Sequence, residues 1–210
     1  MYDHIAHYEF SVFSDKAHVD PNPEMIVKLL SVLKAYELFP TVVPEYNIPD
    51  MTKRRMQLKL LSNDMQWLVE FEPNRFHIQK NNFFEKNIGS LEDFSKDADC
   101  IMKLVSNEIP IIGTRLSFIT KVLLEECPNE KLIEIYKSFI TMTRLYEETP
   151  PYEWSTRSVS RREFDINGKK EEINLITDIN RTQGVFRRAG EVNEEFDRIQ
   201  VMFDINTYQK

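Results

Sequence analysis

Between Met56 and Lys80 the chain alternates apolar and polar residues across two turn signals, and no other stretch restricts the fold as tightly. A strand has a side-chain period of two, so a hairpin with a known turn has known pairings as well. Taking Asn63 and Asp64 as the first turn sets Met56 opposite Phe71, Leu58 opposite Val69 and Leu60 opposite Trp67. Taking Pro73 and Asn74 as the second sets Phe71 opposite Phe76 and Val69 opposite Ile78. Both hairpins put the same apolar residues on one side, while Gln57, Lys59, Glu70, His77 and Gln79 fall on the other. The expectation is an antiparallel meander with its apolar face under helices and its polar face in water.

The rest of the chain supplies the helices and a second set of strands. Tyr8, Phe10 and Val12 share one face of a strand over 8–13. Asn22 is a good N-cap, and Pro23 at the first helical position gives up no needed N–H; Ile26, Leu29, Leu30, Val32 and Leu33 then carry a helix to about Leu38. Thr41 to Ile48 reads as an extended segment confined to a sheet edge by Pro44, with Pro49 and Asp50 turning the chain into the meander. Ser90 and Asp93 open a second helix with a stripe of Phe94, Ala98, Ile101 and Val105. Thr114 to Leu124 alternates as a half-buried strand, with Leu116, Phe118, Val122 and Leu124 inward and Arg115, Ser117 and Lys121 outward. A third helix starts at Pro128-Asn129 and carries Leu132, Ile135, Tyr136, Phe139 and Ile140.

Asn167-Gly168 is the strongest turn signal, because both central residues of a type I′ turn need positive φ. It pairs Arg162 with Ile173, Ser160 with Leu175, Val159 with Ile176 and Arg157 with Asp178. It also sets Glu163 against Glu172, a like-charge pair that a bulge would relieve. A polar loop with Gly184 and Gly190 follows over 182–195, and Ile199, Val201, Phe203 and Ile205 mark a closing strand. The fold class is therefore α+β: two strand-helix-antiparallel meander halves, 1–110 and 111–210, forming curved antiparallel sheets with helices packed on one face. The halves repeat an order of elements rather than a sequence, and together make one compact, pseudo-duplicated domain.

Trp67-Leu68-Val69 leading into Asn74-Arg75-Phe76, the strand Thr114-Arg115-Leu116-Ser117-Phe118 and the closing Val201-Met202-Phe203-Asp204-Ile205 give the chain a further meaning. In this order of motifs it resembles a sporadically distributed, uncharacterised family of bacterial α+β proteins. The resemblance covers most of the chain. In that family a further helix follows the final strand, where this chain ends at Lys210. The resemblance implies a bacterial phage-defence, toxin-antitoxin or mobile-element setting and brings no catalytic residues with it.

Chemistry is mostly excluded. Five glycines form no phosphate-cradling loop, so P-loop nucleotide hydrolysis is ruled out, and no Ser or Cys stands in a nucleophile motif. Cys100 and Cys127 lack metal spacing and read as reduced thiols, while His4 and His7 alone are too few ligands for a metal. The absence of a leader pattern or a long apolar run gives the expectation of a cytoplasmic protein without a membrane partner, metal or cofactor. A net charge of −7 argues against a surface that follows a nucleic-acid backbone throughout. Glu70 beside His77 has the composition of an acid–base dyad, but a cross-strand pair on a solvated face is the plainer reading.

Against the acidic background stand Arg157, Arg161, Arg162, Arg181, Arg187 and Arg188, whose planar guanidinium forks suit phosphate or carboxylate. The expectation is a non-enzymatic interaction or regulatory protein, with no catalytic residues, that meets a protein or nucleic-acid partner through these arginines. The alternatives are a nucleic-acid-processing enzyme whose carboxylates gather in three dimensions, and a small-molecule binder whose cleft is lined by Trp67 and Trp154.

Overall fold

The computed structural model describes residues 2–14, 19–47, 50–83, 87–141, 144–186 and 194–207. Nine strands run β1 (Tyr2–Phe13), β2 (Leu38–Asn47), β3 (Asp50–Ser62), β4 (Trp67–Phe71), β5 (Arg75–Asn81), β6 (Arg115–Leu124), β7 (Ser155–Ile166), β8 (Lys169–Phe186) and β9 (Glu194–Thr207). Among the described residues they form one antiparallel sheet in the order β2-β3-β4-β5-β1-β6-β9-β8-β7, with Pro44 on the edge strand β2, as its missing N–H requires. The described residues also include the helices α1 (Pro23–Val32), α2 (Leu91–Glu108), α3 (Asn129–Phe139) and α4 (Arg144–Glu148). None of the described helices is long and apolar enough to cross a membrane.

The chain groups into two compact units. The meander unit comprises Tyr8–Asn81, Ile88–Phe118 and Asn206–Lys210. The hairpin unit comprises Met1–His7, Asn82–Asn87 and Ile119–Ile205.

In the meander unit, Leu58, Leu60, Val69, Phe71, Phe76 and Ile78 are fully buried, together with Phe94, Ala98, Ile101 and Val105 of α2 and Leu29 of α1. Phe94 is the centre of this packing, with its ring 5.3 Å from Tyr8, 5.8 Å from Trp67 and 5.7 Å from Phe118. The helix starts form as their sequences dictate. Asn22 accepts the Met25 N–H, and Ser90 and Asp93 complete a reciprocal capping box. The first helix stops earlier than its apolar pattern suggests, because the chain tightens into a 3-10 turn at Lys34–Tyr36 and Glu37 adopts positive φ to enter β2.

The second meander turn is as read, with Phe71 opposite Phe76 and Val69 opposite Ile78. The first is not. Leu58 faces Phe71 and Leu60 faces Val69, a shift of two residues from the expected register. The loop takes four residues because Ser62 and Asp64 close it. The Ser62 hydroxyl accepts the Trp67 N–H and donates to Asp64, whose carboxylate also takes the Gln66 N–H. A shift of two leaves every side chain on its expected face.

In the hairpin unit, α3 lays Leu132 and Tyr136 on Trp154 and Ile199, with Ile135, Ile140, Ile179 and Val201 packed around them. Phe139 of the expected stripe is instead 52% exposed. The β7–β8 hairpin has every expected pairing, and Asn167 and Gly168 both have positive φ. Glu163 does face Glu172, and Lys170 relieves the repulsion without a bulge by donating to Glu163 at 2.7 Å. Three expectations are corrected. The region read as a loop from Thr182 remains strand through Phe186, since β8 continues beside β9. In β6, Leu116 is exposed and Ser117 buried, the reverse of the simple alternation. The turn placed at Pro49 and Asp50 changes in part: Asp50 begins β3, and Pro49, like Gly190, lies outside the described residues.

Gly113 marks a close approach in the meander unit. A Cβ there would lie 2.8 Å from Cγ1 of buried Val12, beside the point where the Thr114 N–H bonds the Phe13 carbonyl. Gly113→Ala is expected to destabilise the fold by about 1–3 kcal/mol in urea unfolding, and adding Val12→Ala to relieve part of that strain, so that the two changes are not additive.

Candidate functional site

The polar face of the meander is the first place where charge is concentrated, and the structure buries it. Gln57 is 8% exposed, Glu70 5% and His77 1%, against the expectation of a solvated face. Alternation along the strands determines which residues share a face, and carries no information about what covers it. Lys59 lies directly opposite Glu70, and His77 opposite Glu70 on the other side. The Glu70 carboxylate thus receives Lys59 Nζ at 2.5 Å and Gln57 Nε2 at 2.9 Å on one oxygen, and His77 Nε2 at 2.7 Å on the other. Burial works to raise its pKa, but the hydrogen bonds and charges of His77 and Lys59 prevail and hold it at about 2.

A second carboxylate group continues the cluster. Arg75 grips Glu72 with two contacts of 2.9 Å and lies 3.6 Å from Glu9, which also accepts from Ser11 at 2.7 Å and Gln79 at 3.2 Å. Glu70, Glu72 and His77 present donor atoms all within 4.8 Å of one another, a grouping among the described residues with metal-ligand chemistry. A cation there would have to displace Lys59 from Glu70 and Arg75 from Glu72, two partners that already neutralise the oxygens. His77 Nδ1 is buried with no hydrogen-bond partner among the described residues, while Nε2 is engaged by Glu70. The pair has the contacts of an acid–base dyad without the access. Its histidine is 1% exposed, and its carboxylate is stabilised as the anion rather than as an acid.

The arginines separate. Arg181 is 8% exposed, its guanidinium spanning both Asp197 oxygens at 2.8 and 2.6 Å and reaching Asn129 at 2.9 Å at the start of α3. Asp197 is held below the usual carboxylate range chiefly by that contact. Arg157, Arg161 and Arg162 stand exposed on β7, where Arg157 faces Asp178 and Arg161 donates to Asn174. Arg187 and Arg188 lie outside the described residues. Trp67 and Trp154 serve the interiors of their own units, on Phe94 and on Tyr136. Cys100 and Cys127 are free, and burial pushes the Cys127 thiol up, away from nucleophilic character.

The feature that sequence reasoning missed is an uncovered apolar face in the hairpin unit. Ile179, Ile199 and Val201 pack under α3. By alternation, Ile173 and Leu175 of β8 and Phe203 and Ile205 of β9 share that face, and through the β7 register so do Arg162, Phe164 and Ile166. Beyond α3 its residues are exposed: Phe164 is 40% exposed, Ile166 44%, Phe203 47% and Ile205 49%. The signal available in the sequence was the mismatch between a helix of eleven residues and the longer strands beneath it.

Two outcomes check these assignments. Glu70 has a depressed pKa, so its stabilisation is complete above about pH 4.5 and is lost as pH falls toward 2, on the order of 3 kcal/mol. The stability gap between wild type and Glu70→Gln in urea unfolding is therefore expected to shrink across that window. Arg181→Gln is expected to cost about 1–3 kcal/mol in the same measurement, while Arg157→Gln and Arg161→Gln stay within about 0.5 kcal/mol.

Set against known proteins, the chain matches no family model and no curated protein sequence.

Proposed function

We propose that this chain is a non-catalytic binding protein that takes a protein partner on the open apolar face of β7, β8 and β9. The observation that carries the reading is the line of Phe164, Ile166, Phe203 and Ile205, each at least 40% exposed, on the same face that α3 covers at its other end. Exposed apolar residues gathered on one sheet face support reading it as a docking site, because leaving such surface in water costs about 25 cal/mol per Å². The chemistry of the described carboxylates points away from catalysis. Those with a resolved pKa shift, Glu70, Asp93 and Asp197, are all held down by their partners, whereas a general acid working near neutral pH needs one held up.

The reading of the chain as two strand-helix-meander halves belongs with this proposal, and is supported by β5 lying beside β1 and β9 beside β6. Within the bacterial resemblance, the partner would be the second protein of a defence or toxin-antitoxin pair.

The test compares tagged wild-type protein with a Phe203→Asp/Ile205→Asp variant, purified under native conditions with proteins and nucleic acid both analysed. A stoichiometric protein partner, lost with the double substitution while the thermal melt is retained, is the expected result. Co-purification of nucleic acid alone, or a protein partner unaffected by the substitution, would overturn it.

A further inference from the structure

Resting on that reading, the geometry points to an acidic amphipathic helix as the segment the open face receives. The covered end shows how this face is used within the chain: α3 lies on it through one apolar stripe, Leu132 and Tyr136 on Trp154 and Ile199. The open end continues the same strands, with Ile173, Leu175, Phe164, Ile166, Phe203 and Ile205 on this face set among Arg162, Lys169 and Glu171. Three neighbouring strands span about 10 Å between the outer two, which matches the width of one helix with its side chains. A strand partner would use an edge instead. The free edge here is β7, which carries Arg157, Arg161, Arg162, Glu163 and Asp165, charges that discourage strand addition.

The charges around the open face select the sign of the helix. Arg162 and Lys169 lie on this face, opposite Ile173 and Ile166, and their exposed side chains enter no ion pair or hydrogen bond among the described residues. Glu171, opposite Phe164, is the carboxylate between them. The other face of the same hairpin satisfies itself, with Lys170 on Glu163 and Arg161 on Asn174. The open face therefore presents apolar residues next to two cations and one carboxylate, Glu171, whose side chain likewise enters no ion pair or hydrogen bond among the described residues, and on this net positive balance an amphipathic helix bearing Glu or Asp beside its apolar stripe is the complement.

The probes are three labelled synthetic peptides of equal length. One is a Leu/Phe amphipathic helix flanked by Glu, the second the same helix flanked by Lys, and the third the first composition scrambled to remove the helical period. Fluorescence anisotropy with the full chain is expected to show the acidic helix binding about tenfold more tightly than the basic one, with the scrambled peptide weakest. Arg162→Glu/Lys169→Glu is expected to abolish or invert that preference. Equal affinity for the acidic and basic helices, or a preference indifferent to the charge reversal, overturns the acidic-helix inference while leaving the docking face standing, provided Phe203→Asp/Ile205→Asp still abolishes binding. Binding that survives Phe203→Asp/Ile205→Asp overturns the docking face itself. No binding of any peptide at about 100 μM overturns the helix as occupant, as does sedimentation showing self-association of the wild type that the double aspartate variant lacks.

Discussion

A carboxylate buried on a sheet face has to be neutralised where it stands, and in the meander unit that requirement falls on Glu70. Lys59 and Gln57 come to it from β3 and His77 from β5, so three strands are tied at one group. The arrangement also selects the register. Shifted two residues to the simpler turn, β3 would set Gln57 directly opposite Glu70 and carry Lys59 one pair further along. The apolar face would be equally content with that arrangement, since a two-residue slip preserves faces. The observed register sets Lys59 directly opposite, so a cation meets the buried anion while Gln57 still reaches it diagonally. Hydrophobic alternation decides which side is inward, and the buried ion pair together with the Ser62–Asp64 loop decides where along the strand the pairing stops.

The legible parts of this fold are those governed by local chemistry. Asn22 and Ser90 cap their helices, and the stripe of α2 is buried as its spacing demands. Asn167-Gly168 sets all the β7–β8 pairings because its backbone needs no help from distant residues. What escaped depends on partners far along the chain. The arginines were grouped by closeness in sequence, yet Arg181 answers to Asp197 sixteen residues on and to Asn129 fifty-two residues back. Ser117 and Leu116 exchange their expected exposures for a similar reason: alternation assigns faces, and only the neighbouring elements decide which face sees water.

The two units use the same strand chemistry differently. In the meander unit even the polar face is withdrawn from solvent, so its charges are committed to one another. Such a network ties strands together, and it leaves both Glu70 oxygens engaged by Lys59, Gln57 and His77 despite the catalytic composition of the Glu70–His77 pair. In the hairpin unit the covering helix ends before the strands do, and the apolar face runs on into water.

An open apolar face beside a free sheet edge invites indiscriminate association, and the hairpin divides that risk between its two sides. Alternating charges on β7 guard the edge, where pairing would be insensitive to side-chain identity because it is made by backbone groups. The face is left open, where contact depends on the shape and composition of what is laid on it. Val159, at 56% exposure on the opposite face, lies between Arg157 and Arg161 along β7 and faces buried Ile176 across the pair. Phe164 and Ile166 face Glu171 and Lys169 across the strands, with Ile173 and Leu175 of β8 on the same face beside them, and Phe203 and Ile205 lie on that face of β9. The same two-residue period that buries the core of one unit therefore leaves the other with apolar side chains exposed on one face, beside an edge whose charges disfavour strand addition.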